Sequence, residues 1–164
     1  EGAEITFRTL DILRKNNYHT ESDNIFLQCF DSMELKRIKN VFKSKLPLIQ
    51  LIGKNSWNES PNDFEQMVTE KGCRDIAQYA VGIGPAMDLL YTTSVLNNSI
   101  TSSGLMRFAK NNNLLVHPFT FRADSLPLSF QNYEEMVQWF VGELNVDGLF
   151  TDFVDQTIAL IKGN

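Results

Sequence analysis

The feature that most constrains this chain is a repeat: five short apolar runs begin near positions 25, 47, 81, 114 and 148, and a stretch with helical spacing follows each. The repeat of about 22 to 34 residues holds one strand and one helix, with no hairpin signal between successive runs. Alternation of this kind builds a parallel sheet, because a parallel partner requires a crossover connection and a helix supplies it. The predicted strands are 25–30, 47–52, 81–84, 114–120 and 149–153. Periodicity leaves two architectures open. An open doubly wound sheet of five strands would be complete at 164 residues, whereas a (β/α)8 barrel usually takes about 250.

The helical segments are predicted from their caps and stripes. An opening helix over 5–15 carries Ile5, Leu10, Ile12 and Leu13. Asp31 with Glu34 forms a capping-box pattern ahead of Leu35, Ile38, Val41 and Phe42. Further helices are predicted around 73–80, from Ser102 or Ser103 through Ala109, and from Asp155 onward. Asn132 and Glu135 cap another, whose Met136, Trp139, Phe140 and Leu144 read as core. The polar excursion over 53–71 is long enough to be a lid or wall over a site, with loop decoration as the plainer alternative.

Composition bounds the class of protein. A chain with 43% hydrophobic and 21% charged residues fits one soluble globular domain. A net charge of −5 and a pI near 5.0 argue against broad binding to nucleic acid or an anionic membrane, both of which need a concentrated basic face. The densest basic group, Lys36, Arg37, Lys39, Lys43 and Lys45, reads as the solvated side of one helix and the loop after it. No run approaches the roughly 20 apolar residues of a membrane span. The start, Glu1-Gly2-Ala3-Glu4, has neither an initiator methionine nor a signal-peptide pattern, so the chain reads as a processed product or a piece of something longer. Cys29 and Cys73 have no metal-like spacing and read as buried reduced thiols. The sequons at Asn58 and Asn97 matter only in a secreted eukaryotic protein.

Several runs end in polar residues: Gln28 and Asp31, His117 and Thr120, and Asp152. In parallel α/β folds ligands bind at the carboxyl ends of strands, so these are the candidate site groups. Gly82 and Gly84 do not make a nucleotide fingerprint, since Pro85 follows where bare backbone N–H groups would be needed.

Leu27-Gln28-Cys29-Phe30-Asp31 with Glu34-Leu35-Lys36-Arg37-Ile38, Leu48-Ile49-Gln50-Leu51-Ile52, Gln78-Tyr79-Ala80 with Gly82-Ile83-Gly84-Pro85, Val116-His117-Pro118-Phe119-Thr120-Phe121-Arg122, and Gly148-Leu149-Phe150-Thr151-Asp152-Phe153 resemble successive motifs of one family. It is the glycerophosphodiester phosphodiesterase family, and the likeness is to its bacterial periplasmic type. The resemblance implies a TIM barrel of which residues 1–164 are the carboxyl-terminal part, strands four to eight with their helices. It also implies hydrolysis of a glycerophosphodiester to an alcohol and glycerol 3-phosphate, with a pair of histidines as acid and base and a divalent cation, Ca2+ or Mg2+. The implied partner is a small-molecule substrate, and the likeness leans toward an exported enzyme. The family's His-Arg-Gly, Glu-x-Asp, His-Asp and Glu-x-Lys motifs belong to its amino-terminal strands. Catalytic residues and metal ligands are therefore expected upstream of this chain.

By the same resemblance Gln28 is a polar contact and Phe30 an apolar wall at the substrate end, with interior packing as the alternative. His117 is a site wall rather than the acid or base, or else a hydrogen-bonded barrel residue. His19, the other histidine, reads as an exposed turn residue. Phe119 is an aromatic wall where the family commonly has a tyrosine or tryptophan. Arg122 attracts an anionic substrate or forms a surface ion pair, and Asp152 orders polar groups at the barrel mouth or caps the last helix. Val81, Ala86 and Val154 depart from the family's usual acidic, acidic and proline residues. An arc of five strands leaves two sheet edges open, so the piece alone is expected to be inactive and poorly stable. The alternative function is a non-catalytic binding or surface protein on the same barrel.

Overall fold

In chain order the strands are β1 (Leu27–Cys29), β2 (Leu48–Ile52), β3 (Gly82–Pro85), β4 (Tyr91–Thr93), β5 (Ile100–Ser102) and β6 (Leu115–Val116). The helices are α1 (Gly2–Lys15), α2 (Ser32–Asn40), α3 (Phe64–Met67), α4 (Glu70–Ile76), α5 (Leu105–Asn111), α6 (Tyr133–Gln138) and α7 (Val154–Lys162). The structure, a computed structural model, describes residues 2–96 and 99–162. The sequon at Asn97 lies outside the described residues.

The main sheet runs β1-β2-β3-β6, with every neighbouring pair parallel. This order follows the chain without reversal. A doubly wound sheet must reverse at a switch point, whereas a singly wound arc of βα units curls toward a barrel, so the topology decides between the two architectures in favour of a TIM-barrel-like fold. The predicted strand at 149–153 is reduced to one bridge, Phe121 to Thr151. It still lies alongside the sheet, because the Phe121 N–H donates to the Phe150 carbonyl at 2.8 Å and the Phe150 N–H donates to the Pro118 carbonyl at 2.9 Å.

The two faces of the arc differ. Leu48 and Ile52 of β2 and Ile83 of β3 join the main core with Leu35, Ile38, Cys73, Ile76, Leu105 and Ala109 from α2, α4 and α5. The opposite face carries Ile49 and Leu51, which pack where side chains of Gly82 and Gly84 would stand. Near its end, α6 passes into a π-helical stretch, Trp139–Glu143, which places Phe140 fully in the core.

Four local expectations are corrected. An antiparallel hairpin, β4 with β5, stands between β3 and α5. Its Thr92 and Thr101 hydroxyls hydrogen-bond across the strands at 3.0 Å, so its polar faces carry no apolar alternation to announce it. Gly104, at φ 93°, caps α5 in place of a serine, because the Ser103 hydroxyl is turned to the Leu89 carbonyl at 2.6 Å. Val41 is 70% exposed, since α2 ends at Asn40. Asp31 does cap α2 by accepting from the Met33 N–H at 2.8 Å, but Glu34 closes no capping box and instead accepts from Thr6 and Arg37.

Candidate functional site

The concave face is built from side chains that alternate along the strands. Phe26, Gln28 and Phe30 occupy this face of the β1 segment, and Leu115, His117 and Phe119 occupy it on the β6 segment. Between them β3 offers only Gly82 and Gly84. A methyl group at Gly82 would lie 2.7 Å from the Leu115 carbonyl oxygen and 2.7 Å from Ile49 Cδ1, so bare backbone there lets flanking side chains close over the strand. Two aromatic contacts result. Phe26 meets His117 at a centroid distance of 4.9 Å, and Phe30 meets Phe119 at 5.8 Å, both edge to face.

These pairs form two layers. Phe30 and Phe119 stand at the carboxyl ends of their strands, the side on which parallel α/β folds bind ligands, whereas Phe26 precedes β1 and marks the opposite end. His117 therefore lies on the floor beneath the mouth. It is 8% exposed and packs against Phe26, Phe150 and the bare Cα of Gly148. Aromatic edges hold its ring. Burial pulls the imidazole below its ordinary value of 6.5, and the Asp147 carboxylate opposes that shift. Gln28 is exposed on the concave face.

The rim polar groups are paired with one another. Arg122 holds Asp124 at 2.8 Å and Asp152 at 2.5 Å, and the neighbouring Asp124 carboxylate raises the guanidinium's affinity for its proton. Asp152 thus ties the last run to the β6 segment through Arg122, and Arg122 is not a free anion anchor. His19 sits in an exposed turn where Asp23 accepts from its backbone N–H at 2.6 Å.

The excursion over 53–71 is folded. A 3-10 turn, Asn55–Trp57, and helices α3 and α4 occupy it. Its Asn62 amide donates to the Phe30 carbonyl, and its carbonyl oxygen accepts from the buried Ser32 hydroxyl at 2.8 Å. From behind the sheet, fully buried Gln50 donates to the same Phe30 carbonyl at 2.8 Å and to the Leu51 carbonyl at 2.8 Å. The Tyr79 hydroxyl donates to Gln50 Oε1 at 2.8 Å, and burial drives that phenol well above the usual tyrosine range. The carboxyl end of β1 is thereby clamped from two sides. The Phe64 ring also meets Phe30 at 6.0 Å.

Trp57, Gln50 and Asn62 were not among the candidates from sequence. The available signal was Gly53, which continues the alternating face of Ile49 and Leu51 and leaves space for a large ring four residues later. Among the described residues no three His, Cys, Asp or Glu side chains gather in a way that could hold a metal ion. Glu21-Ser22-Asp23 and Glu34-Leu35-Lys36 repeat the Glu-x-Asp and Glu-x-Lys spacings, but one lies in a turn and the other in α2, not on strands facing the concave side. The residues present do not fit a divalent cation site. Cys73, pushed up to about 11 by burial, is an inert core thiol, and burial also raises Cys29.

The model of the glycerophosphoryl diester phosphodiesterase family matches residues 2–156. The chain belongs to that family. Glycerophosphodiester phosphodiesterases of Haemophilus influenzae and Treponema pallidum are 30% and 27% identical to it, over 99% and 98% of this chain and 49% of each relative. One from Arabidopsis thaliana is 36% identical over 93% of this chain and 44% of its own length. The chain spans about half the length of the curated relatives it matches. A solved structure, described as a putative glycerophosphoryl diester phosphodiesterase of Silicibacter pomeroyi, superposes with a TM-score of 0.68 at 18% identity, over 99% of this chain and 45% of that one. That likeness supports the fold.

Proposed function

We propose that this chain is the carboxyl-terminal part of one TIM-barrel domain, strands four to eight, and that the completed barrel hydrolyses glycerophosphodiesters to an alcohol and sn-glycerol 3-phosphate. The observation that carries this reading is the pairing of a family match over residues 2–156 with coverage of only about half of each relative. Apolar surface at both ends of the arc agrees with it. Ile5 and Ile12 of α1 are 67% and 59% exposed, and at the other end Val154, Ile158 and Ile161 of α7 remain open beside a groove of about 500 Å³. The three missing barrel strands and their helices would bury such surfaces.

In this reading the chain supplies one wall of the site and not its acid, base or metal ligands. Phe30 and Phe119 form an apolar wall that keeps water from one side of the bound diester, Gln28 offers an amide for a substrate oxygen, and Asp152 acts through Arg122 to fix the mouth. His117 forms part of the floor. A divalent cation, Ca2+ or Mg2+, belongs with carboxylates outside this chain, where it would hold and neutralise the phosphate oxygens. The net reaction adds water across the bond between phosphorus and the alcohol oxygen. The alcohol leaves with a proton, and the phosphate stays on glycerol.

The test is complementation. This chain is co-expressed with the amino-terminal half of the Haemophilus influenzae relative, and release of glycerol 3-phosphate is assayed with and without chelator. Turnover that needs both pieces and is abolished by the chelator supports the reading. A stable complex that binds glycerophosphodiesters without turnover points instead to a binding protein on the same barrel.

A further inference from the structure

We propose that Trp57 is the outer wall against which the variable alcohol arm of the diester packs, with Gly53, Asn55 and Asn62 as its positioning residues, an inference that rests on the phosphodiesterase reading above. Gly53 follows Ile49 and Leu51 on the concave face of β2. A side chain there would run into the Trp57 ring, 2.7 Å from Cε3 and 3.0 Å from Cζ3, with the Phe30 ring 3.4 Å away. The indole thus fills the space that Gly53 leaves at the carboxyl end of the sheet. The Phe30 ring, which borders the same space at Gly53, in turn touches Phe119.

The turn that presents Trp57 is fixed by its own side chains. Asn55 Oδ1 accepts from the Phe64 N–H at 2.7 Å and Asn55 Nδ2 donates to Asp63 at 3.1 Å, while Asn62 ties the segment to the Phe30 carbonyl. Phe64 anchors the far end in the core. A wall held this way is preorganised, and it loses little freedom when a ligand packs on it. Yet Trp57 remains 42% exposed, which leaves ring surface available at the rim. A half-open rim position suits the arm of the substrate that differs from one diester to another, since that arm projects toward solvent.

The chemistry of the arm follows from the neighbours of the ring. Lys54 Nζ lies 5.9 Å from the ring centroid and is itself held by Asp88 at 2.5 Å. The indole already faces one ammonium, so a second cation gains little there. A neutral polyol arm, with C–H groups to lay on the ring and hydroxyls for Lys54 and Asp88, fits better.

The experiment uses the complete barrel carrying this chain and two diesters, glycerophosphoinositol and glycerophosphoethanolamine. Trp57→Ala is expected to raise KM for the inositol diester about tenfold, with kcat and the KM for the ethanolamine diester each within about twofold. Gly53→Ala, whose methyl displaces the indole, reproduces that split, and Trp57→Tyr restores most of the loss. In a barrel with Trp139→Phe and any tryptophan outside residues 1–164 also replaced by phenylalanine, Trp57 is the sole tryptophan, and its fluorescence changes on titration with glycerophosphoinositol. Equal KM changes for the two diesters, no change in either, or unaltered fluorescence overturns the assignment of Trp57 while leaving the phosphodiesterase reading intact. Wild-type protein that turns over neither diester overturns both.

Discussion

Phe30 and Phe119 meet edge to face at 5.8 Å although two strands, β2 and β3, separate their own. The contact exists because β3 presents no side chain on that face. Gly82 and Gly84 are therefore expected to respond unequally to a methyl group. At Gly82 the new carbon meets the Leu115 carbonyl at 2.7 Å, and backbone cannot step aside cheaply. At Gly84 the nearest atom is the far end of the Leu51 side chain, which can turn away. Gly82→Ala should lower stability by about 1–3 kcal/mol and Gly84→Ala by less, as read from urea midpoints. Equal losses would show that the close strand approach does not set the cost.

Gln50 joins the outer core to the wall of the site. Replacing it with Ala leaves the buried Tyr79 hydroxyl without its acceptor and removes one donor from each of the Phe30 and Leu51 carbonyls, at a cost of about 2–4 kcal/mol. Tyr79→Phe removes only one of these bonds and should cost less. The double variant should be clearly less destabilised than the sum of the two, because both changes break the same bond. Strict additivity in denaturant unfolding would mean that the Tyr79–Gln50 bond contributes nothing.

The alternation of apolar runs and helical stretches was enough to predict a parallel sheet, because burial on both faces writes a continuous apolar signature into strands such as β2. Strand order was not legible there, since neither periodicity nor spacing encodes which strands neighbour one another. The motif resemblance suggested the barrel, and the observed order agrees with it. The β4–β5 hairpin stayed hidden because its threonines and serine face water. At the site, Phe119 was offered as a wall by the motif resemblance alone, whereas Gln28 and Phe30 could be placed on one face of their strand by counting residues in twos. Trp57 could not, because it reaches that face from a turn whose path depends on Asn55, Asn62 and the missing side chain of Gly53.

His117 makes stability depend on pH. Burial holds its imidazole below the ordinary 6.5, so the unfolded chain binds the proton more readily than the folded one. Stability is therefore fully present above that value, and it declines as pH falls from it toward the depressed folded value. Urea midpoints of wild type and His117→Gln, followed over about pH 5 to 8, should differ in slope below the ordinary value and run parallel above it. Parallel curves throughout would show that the ring is not desolvated in solution.

The exposed apolar surfaces of α1 and α7 predict that the isolated chain binds a hydrophobic dye such as ANS and self-associates. Adding the complementary half should reduce dye binding and raise the melting temperature together. A chain that is monomeric and dye-silent on its own would argue against an incomplete barrel.

The central claim is that this chain carries a substrate wall without the catalytic groups. Its most direct test is to assay the isolated chain for release of glycerol 3-phosphate from a glycerophosphodiester, with Ca2+ or Mg2+ supplied. The account predicts no turnover above background with either ion, and turnover by the isolated chain would contradict it.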